Sequence, residues 1–264
     1  MYGFEYQRPS SVTDAVRAGG ADARYLAGGQ SLVQSMKLRL ASASALVDLS
    51  SIAGLRGISR DGGALKIGAM TRHSEVARSP EVRAAIPALA GLAEGIGDPM
   101  VRNQGTIGGS LANADPAADY PAAALGLGAT IETDRRTIAA DDFFVDLFTT
   151  ALQPGELIVA VRFPLVQRAA YVKLRQPASR FALVGVFVSQ GESGVRVAVT
   201  GARSHAFRVP EMEQALARDF SPQSIANVKV DSAGCNNDLH GSAEYRAAMI
   251  TVLAKRAVEK AREQ

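Results

Sequence analysis

The segment Asp98–Ala129, DPMVRNQGTIGGSLANADPAADYPAAALGLGA, constrains this chain more than any other. Gly105, Gly108 and Gly109 bracket Thr106 and Ile107, and Ser110, Asn113, Asp115, Pro116 and Asp119 follow. So many glycines and so few large apolar side chains predict a loop rather than a packed element. Glycine lets backbone N–H groups approach a ligand closely, and successive N–H groups turned one way form a concavity for anions. Asp119-Tyr120-Pro121 then opens the Ala-rich run Ala122–Leu127, predicting a short helix whose N-terminus faces the loop. A glycine loop leading into a helix start suits a phosphate group.

A second segment has the same character. Leu26-Ala27-Gly28-Gly29-Gln30-Ser31-Leu32-Val33 follows strand-like Arg24-Tyr25-Leu26 and leads into a helix predicted over Leu32–Leu40. Two such loops in one domain suit a pyrophosphate gripped from both sides. Neither is a P-loop, because no Gly-Lys-Ser/Thr follows, and neither contains the G-x-G-x-x-G of a Rossmann fingerprint.

Composition narrows the class. The chain has 264 residues, enough for one or two domains, and with 47% apolar and 21% charged residues it is globular rather than disordered. Net charge is only +3, with no Lys/Arg run and no aromatic interleaving, which argues against nucleic acid as a partner. Cys235 is the single cysteine, excluding an internal disulfide and any cluster ligated by cysteines of this chain alone. His73, His205 and His240 are scattered, which predicts solvated or hydrogen-bonded side chains rather than a metal site. No Gly-x-Ser-x-Gly elbow offers a nucleophile. MYGFEYQRPSS lacks the pattern of a signal peptide, and no window approaches the ~20 apolar residues of a membrane span, so a cytoplasmic protein is expected.

Local patterns give the elements. Ser11-Val12-Thr13-Asp14 reads as a capping box, and Gly19-Gly20 ends its short helix. Strands are expected at Arg24–Ala27 and Ala45–Leu49, and Asp61-Gly62-Gly63 predicts a hairpin between Leu55–Ser59 and Ala64–Gly68. A helix starts at Thr71, and Ser79-Pro80-Glu81 caps a longer one running to about Glu94. Strands are expected at Thr130–Glu132, Thr137–Ala139, Asp141–Leu147 and Leu157–Phe163, closed by Phe163-Pro164. Beyond residue 168 come the long β-rich runs Ala170–Leu174, Ala182–Ser189 and Val195–Thr200, then helices at Pro210–Arg218 and Ser242–Arg262. Tyr245, Met249, Val252, Leu253 and Ala257 form the apolar stripe expected on the last helix. Strands followed by segregated helices indicate a separate α+β domain over 169–264, after a first domain over 1–168 that divides near residue 54.

Four ordered stretches, AGGQSLVQSMKLRLASASALVDLS, RNQGTIGGSLANADPAADYPAA, GELIVAVRFP and NNDLHGSAEYRAAMITVLAKRAV, carry a resemblance that covers nearly the whole chain. The sequence resembles the FAD-binding medium subunit of molybdenum hydroxylases, the carbon monoxide dehydrogenase and xanthine dehydrogenase type. The resemblance implies an α+β, two-subdomain FAD-binding fold (PCMH-like), followed by a smaller C-terminal domain of antiparallel sheet and helices. It places FAD against Leu26, Ala27, Gly28, Gly29, Gln30, Ser31, Leu32 and Val33, and against Thr106, Ile107, Gly108, Gly109 and Ser110. It implies that Asp119 contacts FAD, that the backbone at Leu157 and Ile158 walls the flavin ring, and that the Lys173 ammonium lies near the ring. By their residue types alone, Asp115 and Asp119 also read as turn and cap residues, and Lys173 as a solvated strand residue. Ser110 stands where the family often has asparagine, and Asn113 where it often has histidine.

The resemblance further implies a large molybdopterin-binding partner and a small partner with two 2Fe–2S clusters, assembled as a dimer of heterotrimers. Electrons then pass through this FAD to an external acceptor, and no general acid or base is needed on this chain. Two alternatives share the glycine loops: a self-sufficient FAD-dependent oxidase or reductase, and a non-redox nucleotide-binding module. The first should bring acid–base residues over the flavin, and the second should show no flavin spectrum.

Overall fold

The computed structural model describes residues 1–20 and 22–263 as an α+β chain with four β-sheets among them. The N-terminal part runs β1 (Glu5–Gln7), α1 (Val12–Ala18), β2 (Ala23–Leu26), α2 (Leu32–Lys37) and β3 (Ala45–Asp48). These strands form a parallel sheet of order β1-β3-β2, so each connection crosses over through a helix. Every residue of β3 is buried because it is the central strand. Ser11 caps α1 by accepting the Asp14 N–H at 3.1 Å. α2 ends at Lys37 instead of reaching Leu40, because Arg39 takes a left-handed conformation at φ 61°.

The middle part begins with the hairpin β4 (Ile58–Asp61) and β5 (Ala64–Gly68), then α3 (His73–Arg78). The helix expected from Ser79 to Glu94 is two, α4 (Pro80–Ala85) and α5 (Pro87–Glu94). Pro87 has no N–H to continue α4 and disfavours a helical conformation at Ile86, which sits at φ −144°, ψ 74°.

The Asp98–Ala129 segment is where the structure departs most from expectation. Most of it is helix: α6 (Pro99–Gln104), which is not buried, α7 (Ile107–Asn113) and the buried α8 (Tyr120–Leu127). All eight residues of α8 are buried. Small residues let this helix lie close to its neighbours: a Cβ on Gly126 would come within 2.6 Å of Phe187. β6 (Thr130–Thr133), β7 (Thr137–Ala139), β8 (Phe144–Asp146), β9 (Thr149–Thr150) and β10 (Ile158–Pro164) follow. The antiparallel sheet β4-β5-β10-β6-β7 covers α7 and α8, while β8 and β9 form a separate two-stranded ribbon. The expected strand Asp141–Leu147 shrinks to β8, preceded by a 3-10 turn at Ala140–Asp142.

The C-terminal part carries the antiparallel sheet β11 (Arg168–Arg175), β12 (Ala182–Gly191), β13 (Gly194–Thr200) and β14 (Phe207–Arg208). α9 (Pro210–Arg218) and α10 (Ala243–Arg262) pack on one face of this sheet. α8 meets the other face through Phe187 and Ala198. The buried apolar stripe of α10 is Ala247, Ile250, Leu253, Ala254, Ala257, Val258 and Ala261, so Leu253 and Ala257 of the expected stripe are buried and Met249 packs partly against the same core. Tyr245 and Val252 face outward at 46% and 38% exposure, since alanines do most of the inward packing. Among the described residues no helix is long and apolar enough to cross a membrane.

Candidate functional site

The first glycine loop joins β2 to α2. Gly29 sits at φ 70°, in the left-handed region, which reverses the chain at the end of β2. Leu26 and Val33 pack around it, within 3.3 and 3.0 Å of where a Cβ would stand. Gln30 and Ser31 are exposed, while Leu26, Ala27, Gly28, Leu32 and Val33 are half-buried. Ser31 precedes α2, yet its hydroxyl makes no cap hydrogen bond. The N–H groups of Gly28, Gly29, Gln30, Ser31 and Leu32 find no acceptor among the described residues. Five successive unpaired donors ahead of a helix form a cradle for anionic oxygens.

The second segment is built differently. Thr106 caps α7 by accepting the Gly109 N–H at 3.2 Å. The Ile107 N–H donates to Thr71 O at 3.1 Å, Gly108 to Ala69 O at 2.8 Å, and Ser110 to Thr106 O at 3.0 Å. The expected array of free N–H groups is therefore absent here, because this backbone is tied to the neighbouring residues 69–72. A Cβ on Gly108 would lie 2.5 Å from Ala69 Cβ, so this glycine permits close packing. Gly109 and Ser110 are half-buried, whereas Thr106, Ile107 and Gly108 are buried.

The two segments nevertheless meet. A Cβ on Gly28 would overlap the Gln104 carbonyl and Gly105 Cα. A Cβ on Gly109 would stand 3.3 Å from Ala27 Cβ and 2.9 Å from Thr106 Oγ1. The second segment thus packs against the first at Ala27 and Gly28.

Behind the junction lies His73, for which the sequence offered no signal. Its N–H donates to Gly105 O at 3.0 Å, and a Cβ on Gly105 would come within 2.5 Å of its Nε2. The ring packs against Tyr120 with centroids 5.3 Å apart. His73 Nδ1 and the Tyr120 hydroxyl are both buried without a partner, contrary to the solvated or hydrogen-bonded histidine expected. Burial, helped by the Arg102 charge, lowers the His73 pKa to about 4, so the imidazole is neutral near pH 7.

Next to Tyr120, Asp119 and Lys173 come together, as two residues 54 apart in sequence. Lys173 Nζ lies 2.9 Å from the Asp119 carboxylate, and each side chain is 4% exposed. The Tyr171 hydroxyl donates to Asp119 Oδ1 at 2.5 Å. Burial pushes the Asp119 pKa up, opposed by the Lys173 charge and by the hydrogen bonds from Tyr171 and Lys173. Each carboxylate oxygen accepts one donor from within the protein and keeps a further lone pair. Asp119 holds Lys173, and Tyr171 joins it unannounced by any motif. Ile158 is buried in β10 beside a register shift between Ile158 and Ala160. Leu157 exchanges backbone and side-chain bonds with Asp134, its N–H donating to Asp134 Oδ1 at 2.7 Å.

Free backbone donors in one glycine segment, packed against a second glycine segment, suit an anionic ligand, and a buried Lys–Asp pair lies elsewhere in the chain. The comparisons specify the class: residues 2–166 match the family described as the FAD binding domain in molybdopterin dehydrogenase, and the chain belongs to that family. It is 36% identical to the carbon monoxide dehydrogenase medium chain of Hydrogenophaga pseudoflava, over 98% of this chain and 96% of that one. It is 34% identical to the nicotine 6-hydroxylase medium subunit of Paenarthrobacter nicotinovorans, over 98% of this chain and 97% of that one. Its fold superposes with TM-score 0.92 on a chain of the Hydrogenophaga pseudoflava carbon monoxide dehydrogenase lacking the Mo-pyranopterin moiety, at 37% identity, covering 99% and 98% of the two chains.

Proposed function

We propose that this chain is the FAD-binding electron-transfer subunit of a multi-subunit molybdenum hydroxylase. The observation that carries this is the row of unpaired N–H groups from Gly28 to Leu32, in a family defined by FAD binding. These donors, with the Ser31 hydroxyl, hold the pyrophosphate. Leu26, Ala27, Val33, Thr106, Ile107 and Gly108 form the wall behind it. Gly109 and Ser110 border the junction, and the Gly109 N–H becomes available only where Thr106 releases it. Asp119 borders the FAD and orients the Lys173 side chain in a buried site, where a cationic group favours electron-rich groups nearby. Ile158 supplies apolar wall. Bound FAD supplies the redox chemistry, accepting electrons singly and delivering them in pairs, while the chain contributes position, charge and exclusion of water.

The relatives named above are medium chains or subunits of larger enzymes. The partners of this chain are accordingly a large molybdopterin-binding subunit and a small subunit with 2Fe–2S clusters, in a dimer of heterotrimers. FAD is bound within 1–168, and 169–264 forms the smaller domain. A cytoplasmic location belongs to the same proposal and is tested by cell fractionation. The whole reading is tested by native purification from cells expressing the neighbouring reading frames. One FAD per chain, together with a molybdenum-containing and an iron–sulfur chain, is the expected result. A flavin-free chain, or a solitary one that oxidises organic substrates at roughly 1 per second or more, would overturn it.

A further inference from the structure

The buried pair of Asp119 and Lys173 has a third member in Tyr171. Tyr171 and Lys173 stand two residues apart on β11, so their side chains leave the same face of the sheet. Asp119 directly precedes α8, which packs against that face. The Tyr171 ring lies over Phe187, its cross-strand partner on β12, with centroids 6.2 Å apart. Its hydroxyl donates to one Asp119 oxygen at 2.5 Å, and Lys173 Nζ donates to the other at 2.9 Å. Burial and the Asp119 charge push the Tyr171 pKa up, so the hydroxyl keeps its proton and remains a donor.

A glycine makes room for this hydroxyl. Gly185 stands opposite Lys173 within β12, and a strand-interior glycine often marks a close approach by another group. A Cβ there would overlap the Tyr171 hydroxyl and stand 3.0 Å from Thr200 Cγ2. Thr200 in turn fixes the backbone just ahead of Asp119, its hydroxyl lying 2.8 Å from Pro116 O and 2.7 Å from Ala118 O. Asp119 is thus held by its backbone from β13 and by its carboxylate from β11. Packing alone would be served by phenylalanine at position 171, without a buried hydroxyl to satisfy.

We infer that Tyr171 is a positioning residue for electron transfer: through Asp119 and Lys173, its hydroxyl sets how the chain discriminates between oxidised and reduced FAD. The inference rests on the proposal that Asp119 and Lys173 border the cofactor. With two donors, the negative charge of the carboxylate is spread over both. Without the hydroxyl, Lys173 is its only donor among the described residues, and the carboxylate offsets more of the positive field. A weaker positive field disfavours the more electron-rich, reduced flavin.

The test uses the full chain loaded with FAD, as wild type, Tyr171→Phe, Gly185→Ala and Ser189→Ala. Dissociation constants for oxidised and reduced FAD are measured, and their ratio is checked against the midpoint potential of the bound flavin. In Tyr171→Phe the reduced-to-oxidised ratio is expected to rise about 10-fold, or ~30 mV for a two-electron couple. Gly185→Ala displaces the same hydroxyl, should shift the ratio the same way, and decides the matter if Tyr171→Phe does not fold. Ser189→Ala removes another buried hydroxyl of the same sheet, one that donates to Gly126 O. It should lower thermal stability and leave the ratio unchanged. A wild-type ratio in the deciding variant, or an equal shift in Ser189→Ala, overturns the positioning role and leaves FAD binding in place. A wild-type chain that binds neither form of FAD overturns the cofactor reading, and this inference with it.

Discussion

The two glycine segments look alike as strings and do opposite work. In Gly28–Leu32 the backbone donors are open, Gln30 and Ser31 are exposed and the other residues half-buried. In Thr106–Ser110 every N–H from Ile107 to Ser110 is bonded within the protein, and the glycines exist to let Ala69 and Ala27 come close. One segment leaves its donors free, and the other uses them to tie its backbone to its neighbours. In the proposed FAD site the first is the cradle and the second its support.

The largest effect should come from breaking the cradle. Hydrogen bonds to a charged group are worth ~1.5–3 kcal/mol each, so losing two costs ~3–6 kcal/mol, or ~100- to 10,000-fold in affinity. Gly29→Val forces a branched side chain into a left-handed conformation and against Leu26 and Val33. Isothermal titration of the FAD-stripped variant should show a loss of affinity in that range, with a folded apoprotein by circular dichroism. Wild-type affinity would remove the loop from the site.

Second comes the buried pair behind the support. Lys173→Met leaves the Asp119 carboxylate buried without its cation, a change that typically costs ~3–5 kcal/mol. Thermal unfolding of the apoprotein should show the loss, and adding Asp119→Asn should recover most of it. Equal stability of Lys173→Met and wild type would mean that the pair is not buried as described.

These two results bear on what could be read from the chain in advance. The first loop was legible because its glycines follow a strand and precede a helix, and Gly29 does adopt positive φ. The second was not legible as a structure. Glycines 108 and 109 signal a loop by composition, whereas here they occupy the first turn of α7, where the lack of a side chain is itself the packing. Small residues also hide part of the stripe of α10: Leu253 and Ala257 are inside as expected, but Ala247, Ala254 and Ala261 take inward places where Tyr245 and Val252 are expected. Pro87 is a readable break, but Ser79-Pro80 is an equally readable helix start and the residues between them keep helical character. The Asp119–Lys173 contact needs the register of β11 against α8, which no local pattern contains. His73 had no signal at all, because its burial follows from Gly105 and Tyr120 closing over it.

Acid should separate the regions on a third scale. The folded-state pKa of His73, about 4, lies below the ordinary 6.5, so the unfolded chain binds the proton more readily. This contribution is intact above pH 6.5 and is lost as pH falls toward 4, reaching about 3 kcal/mol. Denaturant unfolding of the apoprotein between pH 7 and pH 4 should show that decline, and His73→Gln should flatten it. An identical pH dependence in the variant would assign the acid sensitivity elsewhere.

The smallest effects sharpen the comparison hydroxyl by hydroxyl. Thr106→Ala removes a cap and should cost ~1 kcal/mol of apoprotein stability. Ser31→Ala removes no bond within the protein and should leave that stability unchanged. Its effect should fall on FAD, weakening binding by ~1 kcal/mol, or about 5-fold. Reversed effects in the pair would exchange the roles of the two segments.

The most direct measurement is amide hydrogen exchange, resolved to single residues, with and without FAD. Unpaired donors exchange quickly and become protected once they bond. The account predicts fast exchange at Gly28, Gly29, Gln30, Ser31 and Leu32 in the apoprotein and strong protection on FAD binding. Ile107, Gly108 and Ser110 should be protected in both states. Unchanged exchange from Gly28 to Leu32 on saturation with FAD, with new protection at Ile107–Ser110 instead, would contradict it.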